Sequence, residues 1–189
     1  MKIYLETPHM ILREFVETDW HHIKELDSDP EVMKYLTNGI PSSDSEVDRV
    51  MGIVLTLTEK WEGKFGFWAA LNKADGEFMG WFHLRPVKTE PENTSLMELG
   101  YRLKKKFWGK GIGTEGSLAL INKARNEYGI KTFCAQTMLQ NLASQNIMKK
   151  CGMTFWKDDL FPDFPGEDKR VVWYKVSLTS TSEIHARSP

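Results

Sequence analysis

The sequence has little cysteine. Cys134 and Cys151 stand far apart, so neither a disulfide framework nor a metal-ligand spacing can be built from them. Both read as small buried apolar residues. No apolar run reaches the ~18 residues that a membrane span needs. The opening Met1-Lys2-Ile3-Tyr4-Leu5-Glu6-Thr7 holds no apolar block of the kind that marks a secretory signal. A surplus of charge is missing too. The formal net charge is -1, which gives no support for general binding to nucleic acid or to a membrane surface. No repeat and no linker divides the chain. These absences leave a single globular domain over 1–178, a polar tail over 179–189, and a cytoplasmic location as the default.

What is present alternates between helical and strand-like patterns. Residues 10–15 form a first apolar run. Thr18-Asp19-Trp20 can cap a helix, and Asp29-Pro30-Glu31 starts a second with proline at its first position. Ser43 to Glu46 offers caps for a longer helix, whose Val47, Val50, Met51, Val54 and Leu57 recur at three- and four-residue steps. Strands follow at 65–71, 78–87 and 96–103, with Asp75-Gly76 as a hairpin signal between the first two. A helix over 111–128 buries Leu118, Ile121 and Ala124. A strand over 131–137 comes next, then a helix over 141–151 with Asn141 as cap and Gly152 past its end. Residues 153–157 and 171–178 complete a last pair of strands.

The chemistry concentrates in residues 104–116, between a strand and a helix. Gly109, Gly111 and Gly113 admit dihedrals that other residues avoid and let a ligand approach the backbone. The first amides of the following helix have no intrahelical partner and carry the positive end of its dipole. Such a turn seats phosphate. Lys104, Lys105, Lys106 and Lys110 add formal charge, unless they are only an exposed strand exit. A Walker loop is excluded, because Gly111 rather than Ser or Thr follows Lys110. Gly111, Gly113 and Gly116 satisfy the dinucleotide spacing. The next strand, however, ends Gln136-Thr137-Met138 without a carboxylate, and three meander strands precede the turn. A tight turn with no ligand is the bland alternative.

Trp108-Gly109-Lys110-Gly111-Ile112-Gly113 resembles the diphosphate turn of the GNAT acetyltransferases, with Trp where the motif has Arg or Gln. The longer run to Gly116, the opening Thr7 to Arg13 and the stretch Asn141 to Met153 are similar to the branch that includes the ribosomal-protein N-terminal acetyltransferases. The resemblance covers nearly the whole chain. It implies an α+β fold: a mixed, mostly antiparallel twisted sheet of about seven strands, flanked by helices and splayed where acetyl-CoA lies. It implies an acetyl-CoA-dependent N-acetyltransferase with no metal. Carried over by position, the amides of Gly109, Gly111, Gly113 and Thr114 hold the diphosphate, within the motif segment that includes Trp108, Lys110 and Ile112. Backbone of Tyr101, Arg102 and Leu103 meets the acetyl and pantetheine groups, and Asn141 meets the pantetheine arm.

Two residues are candidates for the proton steps. Glu98 alternates with Met97, Leu99 and Tyr101 and so faces the other side of its strand. It is either the base for an incoming ammonium or a strand carboxylate on a solvated face. Ser144 is the nearest donor to the leaving thiolate, because the tyrosine of many relatives is replaced here by Met148. The alternative for Ser144 is an ordinary first-turn serine. His83 reads as structural, and His21-His22 lacks a third metal ligand. The acidic, aromatic stretch 158–170 either favours a cationic substrate or is merely solvated. The acceptor is a primary amine: a protein N-terminus, or a small molecule such as a polyamine or aminoglycoside. A CoA-binding sensor without turnover is the rival from another class, and a homodimer is compatible with the sequence.

Overall fold

The structure, a computed structural model, describes residues 2–179. The polar tail falls outside them except for its first residue. The described chain forms two compact units. One is Met1–His83 with Tyr101–Ile112, and the other is Leu84–Gly100 with the chain from Gly113.

The first unit begins with β1 (Ile3–Glu6) and β2 (Met10–Glu14), an antiparallel pair. Three helices follow: α1 (Trp20–Asp27), α2 (Pro30–Thr37) and α3 (Asp44–Lys60). The starts of α2 and α3 are fixed by side chains, whereas at the start of α1 Asp19, expected as part of a cap, makes no side-chain cap hydrogen bond. The Asp29 carboxylate accepts from the Glu31 amide at 2.9 Å. Ser43 and Glu46 form a reciprocal capping box, satisfying amides that the helix leaves open. Val47, Met51 and Val54 of α3 join Ile23, Leu26 and Val32 in one buried cluster with Phe15, Ala69 and Phe78. β3 (Gly66–Asn72) pairs antiparallel with β2.

Beneath the cluster's rim, Arg13 grips Asp19 through two hydrogen bonds, of 2.6 and 2.7 Å. Both residues are buried. Burial alone would raise the Asp19 carboxyl. The Arg13 hydrogen bonds, the Val16 amide and the Arg13 charge outweigh that and hold it below the usual carboxylate range.

Strands β4 (Phe78–Pro86) and β5 (Met97–Leu103) run through both units. Gly80 of β4 has φ +138°, and a Cβ there would collide with the Arg102 carbonyl and lie 2.7 Å from the Leu103 Cα. Only a bare backbone lets β4 approach the end of β5 this closely.

The second unit adds α4 (Ile112–Tyr128), β6 (Thr132–Met138), α5 (Leu142–Lys150), β7 (Thr154–Leu160) and β8 (Arg170–Ser177). β6 and β8 pair antiparallel along their full lengths, and β7 joins β8 with a bulge at Trp156. Every residue of β7 is exposed. The strand order is β1-β2-β3-β4-β5-β6-β8-β7. The sheet is thus mixed and mostly antiparallel, with eight strands rather than about seven, β1 being the addition. On α4 the fully buried apolar residues are Leu120, Ile121 and Ala124, while Leu118 is half-buried. Cys134 and Cys151 are both buried, and desolvation pushes each thiol up to about 12. Among the described residues no helix is long and apolar enough to cross a membrane.

Two expectations follow. Asp19→Asn leaves Arg13 as an uncompensated buried charge, so chemical denaturation at neutral pH should show a loss of about 3 kcal/mol. The wild-type contribution is complete above the unfolded carboxyl value of about 3.9. It is lost as pH falls through the lower folded value, so the variant's acid limb should be shallower. Gly80→Ala should lower stability by about 3 kcal/mol, the upper range for forced overpacking. A melting temperature within two degrees or so of wild type would contradict the close approach.

Candidate active site

The glycine-rich stretch lies where the alternation of patterns puts it, between the end of β5 and the start of α4. A 3-10 turn at Lys105–Phe107 leads out of β5. Phe107 and Ile112 are buried and pin the two ends of the loop. The Trp108 indole, itself 43% exposed, donates back to the Leu103 carbonyl at 2.8 Å. Gly109 and Gly111 take φ +71° and +81°, in the left-handed region, and a Cβ at either would meet nothing within 4 Å. Their lack of a side chain is therefore not dictated by packing. It keeps open the space in front of the loop and permits the turn. Lys110 is exposed, while Gly113 is buried in the first turn of α4 and Thr114 half-buried beside it. The amides of that turn have no carbonyl ahead of them in the helix. Backbone without side chains, leading into helix-head amides that lack intrahelical partners, is the kind of turn that can seat a diphosphate.

The lysines are not the cationic collar that their formal charge suggests. Lys104 pairs with Glu25 at 2.7 Å, Lys105 lies 3.8 Å from Glu31, and Lys106 pairs with Glu77. Carboxylates of α1, α2 and the β3–β4 turn answer all three. A cavity of about 500 Å³ beside them is lined by Glu25, Asp29, Leu26 and Val32 together with the three lysines, so acids offset most of its positive charge. Lys110 stands apart, with its ammonium 5.9 Å from the centre of the Phe107 ring. Arg102 is also committed. Its guanidinium pairs with the buried Asp27 and lies 5.1 Å over the Trp81 ring. What Arg102 can offer a ligand is its backbone. Tyr101 is half-buried, with its ring 5.9 Å from that of Phe82.

β5 and β6 form a parallel ladder of only two rungs, Met97 with Phe133 and Glu98 with Cys134. Both strands continue well past those rungs. Glu98 sits at the last one. It is buried, and its carboxylate accepts from Arg85 of β4 at 2.7 Å. The solvated-face alternative for Glu98 therefore fails, and an ion-paired strand carboxylate takes its place. Arg85 was not singled out from the sequence. The available signal was one positive and one negative charge inside neighbouring, otherwise apolar strands.

On α5, Asn141 is the N-cap, and its side-chain oxygen accepts from the Ser144 amide at 3.1 Å. Its amide nitrogen remains as a donor group. Ser144 is half-buried in the first turn. Gln145 anchors that turn: it donates to the Leu139 carbonyl at 2.7 Å and accepts from the Tyr174 hydroxyl at 3.1 Å. Met148 is buried, so the position where the resemblance leads one to expect a tyrosine is a core contact here. His83 packs against Phe67 and Trp81. No group of metal ligands occurs among the described residues. In the stretch 158–170, Asp158 and Asp159 belong to β7, and Asp168 is engaged by Arg170 and Gln140.

Comparison with known proteins bears on this arrangement. Residues 9–154 match the family model described as acetyltransferase (GNAT) domain. The FsC-acetyl coenzyme A-N(2)-transacetylase of Aspergillus fumigatus is 36% identical over 162 residues, which cover 81% of this chain and 67% of that protein. Among solved structures, the ribosomal L7/L12 alpha-N-protein acetyltransferase RimL in complex with coenzyme A superposes with a TM-score of 0.78 at 18% identity. That match covers 94% of this chain and 98% of the other. The microcin C7 self-immunity acetyltransferase MccE, solved with acetyl-CoA and AMP, gives a TM-score of 0.75 at 16% identity, over 91% and 94% of the two chains. The two structures speak for the fold alone, whereas the family match and the Aspergillus relative speak for descent. With the glycine turn at the head of α4 and the β5–β6 ladder cut short, the chain belongs to the GNAT acetyltransferase family and is an N-acetyltransferase.

Proposed function

We propose that the protein transfers an acetyl group from acetyl-CoA to a primary amine by direct attack. The observation that carries the donor assignment is the pair of left-handed glycines facing open space at the head of α4. Acetyl-CoA, when bound, supplies an activated acyl group on a thiolate leaving group. The amides of Gly109, Gly111, Gly113 and Thr114 hold its diphosphate, and the loop from Trp108 to Ile112 frames them. The backbone of Tyr101 to Leu103, past the last β5–β6 rung, receives the pantetheine and acetyl portion. The free amide nitrogen of Asn141 donates to it as well.

Glu98 accepts the proton of the attacking ammonium, directly or through water. Arg85 orients its carboxylate for that task. Backbone amides stabilise charge on the acyl oxygen as the amine adds. Ser144 stands at the first turn of α5, where a hydroxyl can meet the departing sulfur. Thiolate is a fair leaving group, so the step does not depend on a strong acid, which accords with Met148 in the core. The acceptor reading that follows from the ribosomal-protein branch is a protein N-terminal amine, with small-molecule amines as the alternative. A screen of N-terminal peptides and small amines for acceptor-dependent thiol release separates the two.

Gly111→Ala adds one methyl group in open space, at a left-handed position costing about 1–2 kcal/mol. The protein should still fold, while its affinity for coenzyme A, measured by calorimetry, should fall by about tenfold or more. Unchanged affinity would remove the diphosphate from this loop. Glu98→Gln keeps an acceptor for Arg85 but cannot take a proton. Turnover should fall by about 100-fold with coenzyme A affinity intact. If turnover holds, Glu98 is a structural ion pair only.

A further inference from the structure

The side of the sheet to which Glu98 points can be followed across the second unit. Cross-strand partners share a face. Glu98 is opposite Cys134, Cys134 is opposite Lys175, and Lys175 is opposite Thr154. One rung along, Gln136, Trp173 and Lys157 occupy the same face. Glu98 and Cys134 form the buried inner end of this row. Trp156, 38% exposed, marks its outer end. The bulge in β7 turns the Trp156 indole toward β8, where its ring meets that of Trp173 edge-on at 6.3 Å. The Lys175 ammonium lies 4.2 Å from the centre of the Trp156 ring. Lys157 lies 5.3 Å from both indoles and is engaged by Asp159 at 3.5 Å. Lys175 has no carboxylate partner among the described residues.

An exposed indole, a half-buried one beside it and an uncommitted ammonium, on the face served by the proposed base, are an unusual surface to leave in water. A cation over an indole gains roughly 0.5–1 kcal/mol at an exposed site and still lacks an anion. Two strand spacings separate Lys175 from Glu98, roughly 10 Å across the sheet. An acceptor whose amine is brought to Glu98 therefore meets the indoles and Lys175 with its far end.

We propose that Lys175, Trp156 and Trp173 select the acceptor, and that the acceptor is an amine carrying a carboxylate on a flat or apolar body. The body lies against the indoles and the carboxylate completes the charge of Lys175. Asp159 and Lys157 cancel, so Lys175 sets the sign of the patch. This reading rests on the acetyltransferase assignment and on Glu98 as the proton acceptor. It narrows the acceptor from any amine to an amino acid-like one.

The test uses a matched pair, para-aminomethylbenzoate and para-aminomethylbenzamide, titrated calorimetrically into full-length protein already saturated with coenzyme A. The acid should bind about tenfold more tightly than the amide. Lys175→Met, which keeps the stem over the indole, should abolish that difference by weakening the acid alone, and Lys175→Arg should restore it. Equal affinities in the wild type, a preference that survives Lys175→Met, or no binding of either compound overturns the proposal. Failure of the wild type to bind coenzyme A in the saturating step would fall instead on the acetyltransferase reading of the donor site.

Discussion

A strand in the middle of a sheet must hydrogen-bond on both edges, and β5 does so with β6 for only two rungs. Everything distinctive about the site descends from that early parting. Past Glu98 the outer edge of β5 no longer has β6 as its partner, and peptide groups that a sheet would consume become available to a ligand. The glycine turn then continues the same theme. Gly109 and Gly111 withhold side chains, and the first turn of α4 offers amides without partners. In the proposed function, recognition of the donor therefore falls mainly to the main chain.

Charge plays a different part from the one that its density suggests. Four cations leave β5 within five residues, and all four are met by acids of the first unit: Arg102 by Asp27, Lys104 by Glu25, Lys105 by Glu31 and Lys106 by Glu77. The partly buried Arg102–Asp27 pair ties the end of β5 to the end of α1. The exposed lysine pairs contribute little stability individually. Their effect is to hold the β5 exit close to neutral. The Arg85–Glu98 pair does for the inner part of β5 what Arg102–Asp27 does for its end.

The fold was legible wherever a local rule governs. Helix starts at Asp29, Ser43 and Asn141 were readable because a capping side chain acts within three residues. β1 escaped because Ile3–Glu6 is a short, mostly exposed edge strand with no buried period of its own. Leu118 was taken for a core residue in place of Leu120, an error of half a helical turn that only the packed neighbour resolves. The glycine turn was legible as a flexible loop at a helix head, since dihedral freedom and helix-head amides are local properties. The pairing of Lys104, Lys105 and Lys106 was not, because their acids lie 29 to 79 positions away in sequence. Arg85 was hidden for the same reason: nothing local announces that a charge in one strand answers a charge in the next.

The bulge at Trp156 has a second consequence, for solubility. β7 ends the sheet, and all of its residues are exposed. An even, apolar border of that kind is a template on which foreign chains can polymerise. Here one residue is pushed out of register, and a basic and two acidic side chains follow it at positions 157–159. The border is crooked and charged where it would otherwise invite stacking, so the same irregularity that presents an indole also keeps neighbouring molecules from joining end to end.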